Sequence, residues 1–405
     1  MTQSPSHPIT QSPSLPLSSL HVLDFTTLLP GPFATMLLAD LGADVVRVEA
    51  PDRPDLARFM PPFDGDVSAW HSLLNRNKRS VALDLKQPGA AEVVQRLVQR
   101  YDIVVEQFRP GVMDRLGVGY EALRAVNPRL IYCAITGYGQ TGPYRDRAGH
   151  DLNYMALAGI LSHTGRAESG PPGLGVQVAD VGGGSFGAIT GILAAVIQRQ
   201  LTGVGQMIDV SMFDLALAWN SLAAAEYLAS GANPSYESGL LNGGSLYDTY
   251  RTADGRYLAV ASMEAKFWQG FCQAIHRPDL LEMGVFGPAG PQREAKHEVA
   301  AIIAQRSLAE WQAIFAPLDV CVEPVLTVEE ALAHPHSAAR GLVVETPRGD
   351  GTTQPQVAHP LRFSASQPVY RHIGPPLGAH TVEVLAEAGY TNRELAALQG
   401  SGMLG

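Results

Sequence analysis

The first third of the chain alternates between short, continuously apolar runs and longer runs with helical spacing. HVLDFTT, ADVVRVEA, RSVALDL, YDIVVEQF and PRLIYCAIT are brief, rich in β-branched residues and bounded by turn formers, which predicts strands. FATMLLADLG is apolar along a helical stripe and stops at a glycine, which predicts a helix between the first two strands; Gly89 to Arg100 and Tyr120 to Val126 read the same way. Strands that alternate with helices need crossover connections, so the expected sheet is mostly parallel and covered on both faces.

After residue 150 the pattern turns helical, through LNYMALAGILSHTG and SFGAITGILAAVIQRQL, and QMIDVSM reads as one more strand feeding a helix. Residues 232 to 247, rich in Asn, Gly and Ser, mark a boundary, and DTYRTADGRYLAVAS reads as a hairpin. Helices are expected to about residue 316, then VCVEPVLTV, then short strands with many prolines from about 340 and a last helix from His380 to Ala388. The fold class is therefore α/β. The expected division is a disordered Ser/Pro-rich tail at 1–18, a large domain at 19–225 with 340–405 packing back on it, and a smaller α+β domain at 226–339. Phe186 to Ile197, the longest apolar stretch, is broken by Gly and Thr and is shorter than the roughly 20 residues a bilayer needs, so a buried helix is expected there.

A chain of 405 residues, 46% hydrophobic and 17% charged, has the composition of a compact enzyme. Its formal net charge of -10 argues against nucleic acid or an anionic membrane as partner, since both require a basic face. Cys133, Cys272 and Cys321 form no CxxC pair, so neither a disulfide framework nor a structural zinc site is signalled, and a reducing, cytoplasmic compartment fits.

Four segments carry candidate chemistry. GYGQTG, Gly137 to Gly142, matches a dinucleotide fingerprint in letters, but the charged PYRDRAG follows it in place of an apolar helix, which argues against a nicotinamide or flavin site. In AGHDLNYMALAG, His150 and Asp151 stand at the entrance of a helical run; Asp151 reads as a helix cap, and His150 as either an ordinary packed histidine or an acid/base group. In VADVGGGSFGAITGIL, Asp180 precedes three glycines and an apolar helix. That arrangement fits an oxyanion site built from backbone N–H groups and fits equally a cap with close glycine packing. The basic run NRNKRS, with Lys86, Arg109 and Arg115 beyond it, reads as a solvated face or, against an acidic chain, as a phosphate site.

Taken in order, PGPFATMLLADLGADVVRVE, NKRSVALDLK, RPGVMDRLG, NPRLIYCAITGYGQTGP and the Asp180 segment followed by TGVGQMIDVSM resemble the family III CoA transferases (the CaiB/BaiF superfamily) over nearly the whole chain after the tail. AGHDLNYMALAGIL, LLNGGSLYDTYRTADGRYLAVASMEAKFW and DVCVEPVLTVEEALAHPHSAARG resemble its alpha-methylacyl-CoA racemase branch. The resemblance implies a Rossmann-like large domain, a small domain and two interlocked subunits in a homodimer. It also implies His150, Asp180 and Glu264 as functional acids and bases; local pattern alone gives Glu264 no distinction. CoA contacts are implied from Leu83, Asp84, Leu85 and Lys86, from Arg109 and Arg115, and from Ala148, Gly149, Asp151, Leu152 and Asn153. Where racemases carry an arginine before the proline that ends the second strand, this chain has Ala50, and Arg53 is the candidate substitute.

The expected reaction interconverts (2R)- and (2S)-2-methylacyl-CoA by proton transfer through an enolate, with backbone N–H groups near Gly182 and Gly183 facing the enolate oxygen. It calls for no metal and no cofactor beyond the CoA moiety of the substrate. The alternative is CoA transfer between carboxylic acids with Asp180 as nucleophile.

Overall fold

A computed structural model describes residues 15–284 and 289–405. Most of the expected tail thus lies outside the described residues. Its last part, 15–18, is a turn whose Leu17 N–H donates to Leu41 O, so that portion is ordered.

The chain divides into two compact units. The first runs to Tyr154 and adds Val176–Ala216 and His336–Gly405; the second takes Met155–Gly175 and Leu217–Pro335. This corrects the expected domain boundaries: 155–175 and 217–225 belong with the second unit, and 336–339 with the first.

In the first unit, β1 (His21–Asp24), α1 (Pro30–Asp40) and β2 (Asp44–Glu49) form a βαβ unit, followed by β3 (Arg79–Ala82), α2 (Ala90–Leu97), β4 (Ile103–Glu106) and β5 (Ile131–Thr136). Next come α3 (Asp151–Leu157), a π-helical stretch Val178–Ser185 that runs directly into α4 (Phe186–Thr202), β6 (Met207–Ser211) and α5 (Met212–Trp219). The six strands form one sheet in the order β3-β2-β1-β4-β5-β6, and every neighbouring pair is parallel. Val22, Leu23, Val46, Val104 and Val105 are fully or almost fully buried, as both-face coverage requires of near-continuous apolar strands.

The sheet order reverses between β1 and β4. Crossovers leave these strands in opposite directions, so a crevice opens beyond their carboxyl ends. The floor of that crevice is a buried polar network. Asp24 accepts hydrogen bonds from Thr26 N (2.9 Å), Thr35 Oγ1 (2.5 Å) and Lys78 Nζ (3.0 Å), and Arg47 is ion-paired to Asp55 and Glu49. The basic run NRNKRS is consumed here and is not a phosphate site. Arg76 and Lys78 are fully buried against Asp40 and Asp24, and Arg79 is tied to Asp44, Glu383 and Glu387.

The expected buried helix is only half realised. The continuous helical run Val178–Thr202 is by length and composition long and apolar enough to cross a membrane. Ala188, Ile192, Ala195 and Val196 are buried, whereas Ile197 and Leu201 on the other side are exposed.

The second unit contains α6 (Ser221–Ser230), the antiparallel hairpin β7 (Asp248–Arg251) and β8 (Tyr257–Val260), α7 (Ala265–Ala274), α8 (Ala289–Ile303), α9 (Leu308–Phe315) and β9 (Val322–Pro324), with β9 paired antiparallel to β8. Its core stacks Trp268, Phe271, Phe315 and Trp311.

The final segment forms a hairpin of β10 (Val343–Pro347) and β11 (Thr353–Val357), then α10 (Thr381–Glu387) and α11 (Asn392–Gly400). Thr381 Oγ1 accepts from Ala82 N at 3.0 Å and Leu83 pairs with Leu404, so this segment closes the β3 edge of the sheet.

Candidate active site

Two cavities of the first unit meet at the switch point. One, of about 500 Å³, lies over the carboxyl ends of β1 to β4 and is lined by Arg53, Leu83, Asp84, Leu85, Lys86 and Arg115. The other, of about 300 Å³, lies over β4 and β5 and is lined by Arg109, Ala148, Gly149, His150 and Asp180. Leu28 and Phe108 line both and therefore stand at their junction. Leu28 has a φ of 59°, a strained value for a non-glycine residue, and is held there by donating its N–H to Asp55 Oδ2 at 2.9 Å. On the facing side, Gln107 accepts from Gly31 N and donates to Thr27 O, both at 3.0 Å, which locks the β1 and β4 loops together.

Asp180 sits in the π-helical stretch, half-buried, and its carboxyl is pushed up from 3.8 to about 6. Burial is the main cause; the Asp151 carboxylate adds to it and His150 opposes it. Asp151 is a cap, but not of its own helix: its Oδ1 accepts from Ala179 N (2.6 Å) and Asp180 N (3.1 Å), holding the segment that carries Asp180. At the start of α3 the polarity is reversed, with Asn153 Oδ1 accepting from His150 N at 3.0 Å and so fixing the histidine at the helix entrance. Asp151 and Asn153, expected as substrate contacts, thus act on the two catalytic candidates. Leu152, also expected as a contact, is exposed and lines neither cavity.

The glycines after Asp180 serve close packing. A Cβ on Gly183 would crowd Leu215 at 3.3 Å, and one on Gly184 would clash with Pro30 at 2.9 Å. Gly182 and Gly183 lie within the π-helical stretch, where N–H groups are taken up by i→i−5 bonding, and neither lines the cavity. The expected oxyanion role for Gly182 and Gly183 is corrected accordingly.

GYGQTG is a structural turn. Gln140 N donates to Asp209 Oδ2 and Gly139 N to Thr136 Oγ1, while Gly137 and Gly149 make room for the Tyr154 ring, whose hydroxyl donates to Gly149 O at 2.6 Å. Glu264 lies in the second unit, exposed, at the N-cap of α7. Sequence reasoning passed over Arg145 and Arg147, which line the His150/Asp180 cavity. Their signal was two arginines just beyond a strand's carboxyl end, a position from which loops reach the site of an open α/β sheet.

The profile of CoA-transferase family III matches residues 17–381. The chain belongs to CoA-transferase family III. It is 38% identical over 379 residues to the alpha-methylacyl-CoA racemase of Homo sapiens, covering 93% of this chain and 94% of that protein. It is also 36% identical over 381 residues to the succinate–glutarate CoA-transferase of Agrobacterium fabrum, covering 91% and 94%. Among solved structures, a CAIB/BAIF family protein from Brucella suis superimposes with a TM-score of 0.81 at 31% identity, covering 93% of this chain and all of that one. Members of CoA-transferase family III that carry racemase and transferase names thus match this chain to a similar degree.

Proposed function

We propose that this enzyme interconverts (2R)- and (2S)-2-methylacyl-CoA. The observation that carries the reading is the pairing of His150 with an Asp180 whose carboxyl is pushed to about 6 in one cavity. An imidazole and a carboxyl raised toward neutrality, lining one cavity, supply the base and the acid, interchangeable in role, that such a reaction requires. One group takes the α proton, the C–H electron pair moves into the thioester enolate, and the other group returns a proton to the opposite face. The larger cavity would take the CoA moiety, with Arg53, Lys86 and Arg115 toward its phosphates. The resemblance to racemases also implies Glu264 as a functional acid or base. The proposed reaction calls for no cofactor beyond the CoA moiety of the substrate.

A second reading is supported by the similarity to a succinate–glutarate CoA-transferase. In it Asp180 attacks the thioester carbonyl and expels CoA as thiolate, giving an acyl-aspartyl anhydride; the thiolate then attacks the aspartyl carbonyl, the donor acid leaves as carboxylate, and the resulting aspartyl-CoA passes its CoA to the acceptor acid by the same two steps in reverse.

The deciding experiment incubates one enantiomer of a 2-methylacyl-CoA in deuterium oxide without any free acid. Racemisation predicts loss of the α-proton NMR signal with inversion, and a drop of at least about 100-fold in His150→Ala and Asp180→Asn. Retention of the α proton, together with CoA exchange into added dicarboxylates, would establish transfer.

We further propose a homodimer. Ile197 and Leu201 of α4, and separately Leu222 and Leu228 of α6, are apolar and exposed, and a second copy would cover them. Light scattering on the purified protein should give twice the chain mass. A cytoplasmic location accords with the free thiols of Cys133, Cys272 and Cys321.

A further inference from the structure

Gly111, between Arg109 and Arg115, has a φ of 79° and carries no side chain over a crowded spot. A Cβ there would lie 3.5 Å from Arg115 Nη1 and 3.6 Å from Arg145 Nη2, so the two guanidinium nitrogens are no more than about 7 Å apart. Among the described residues neither guanidinium is paired with a carboxylate. Two like charges drawn together without a counter-charge define a place for an anion. A phosphate accepting one charge-assisted hydrogen bond of about 2.8 Å on each side spans such a gap. A carboxylate is narrower and bears one charge.

Arg145 also belongs to a segment with few backbone anchors among the described residues, its Tyr144 ring packing edge-on against Tyr138. From Gly142 to Ala148 the backbone hydrogen bonds are local turns, Arg145 N to Gly142 O at 3.3 Å and Arg147 N to Tyr144 O at 2.8 Å. Firm attachments to the body lie on either side, at Gln140 and at Gly149. His150 follows directly.

We infer that Arg145 and Arg115 clamp a phosphate of the CoA moiety between them, and that this clamp anchors the segment leading to His150. Arg115 was an expected CoA contact, whereas Arg145 comes from the loop beyond β5, so the clamp bridges the two cavities. The inference rests on the reading of the site as one for CoA esters. It adds that the nucleotide end of the ligand helps to position the acid/base histidine, so that binding energy remote from the α carbon is used at it.

The test is calorimetric titration of the full-length protein and its Arg145→Gln variant with CoA, dephospho-CoA and pantetheine. The side chain is exposed, and circular dichroism would check that the variant folds. The expected result is about tenfold weaker CoA binding in the variant, the size of one charge-assisted hydrogen bond, with pantetheine binding unmoved. An equal loss with dephospho-CoA assigns the clamp to the diphosphate, and a loss seen with CoA alone assigns it to the 3′-phosphate; either upholds it. Unchanged CoA binding, or equal weakening of CoA and pantetheine, overturns it. In the exchange assay the variant should lose kcat with the CoA ester and not with the corresponding pantetheine ester. Absence of exchange in the wild type would sink the racemase reading, while the titrations would still decide the clamp.

Discussion

Asp180 binds its proton more tightly in the folded chain than a free carboxyl does, because burial and the Asp151 carboxylate both disfavour its charge. Its contribution to stability is therefore complete below about pH 4 and is lost as pH rises through about 6. The rise from 3.8 to about 6 corresponds to ~3 kcal/mol, and screening of this half-buried group reduces that to ~1–2 kcal/mol. Asp180→Asn should unfold at higher urea than the wild type at pH 8 and at the same urea at pH 4, while losing activity. Equal midpoints at pH 8 would mean that the carboxylate is better solvated than its surroundings indicate. Glu106 at the end of β4 is a second case: burial holds it at about 8, opposed only by its bond to Phe108 N. Glu106→Gln keeps an acceptor for that bond. Its advantage over the wild type in thermal melts should grow from pH 5 to pH 8 and then level off.

Which residues could be found beforehand follows from the same local physics. His150 and Asp180 were legible because a helix entrance and a glycine run single them out, although the glycines themselves turned out to pack against Pro30 and Leu215. Glu264 carries no such mark and came only from the resemblance. The run NRNKRS was misread because charge along a sequence says nothing about burial, and Lys78 is opposite Asp24 only once β1 and the β3 entrance are brought together.

At the scale of elements, β1 to β5 were legible because parallel strands buried on both faces must be continuously apolar, whereas β6, at the edge of the sheet and partly exposed, was read from the shorter run MIDVS. The helix α11 was missed although Thr391 and Glu394 form a capping box, a signal written in TNRE. The π-helical character of Val178–Ser185 had no signature beyond its three glycines, whose missing side chains permit the wider turn. The loop after β1 depends on a charge pair from elsewhere in the chain. Lys78→Met would leave the Asp24 carboxylate buried without its cation, at a cost of about 3–5 kcal/mol. Equilibrium unfolding in urea at pH 7 should show this as a lower midpoint with little change in slope. A loss below 1 kcal/mol would mean that Arg47 and the threonines suffice.

At the scale of the whole molecule, neither unit is continuous in sequence, and the boundaries near 155 and 217 were invisible because both fall within or beside helices. The first unit is completed by its last segment. Arg76, ion-paired to Asp40, also donates to Val357 O and lies under the Tyr370 ring, and Asn77 donates to Val369 O. During synthesis on the ribosome the chain emerges from its amino end, so this charged pair waits, open to water, until residues 357 to 370 have followed. A nascent chain arrested at residue 350 should remain open to protease within 75–80, and the chain released from the ribosome should be protected there.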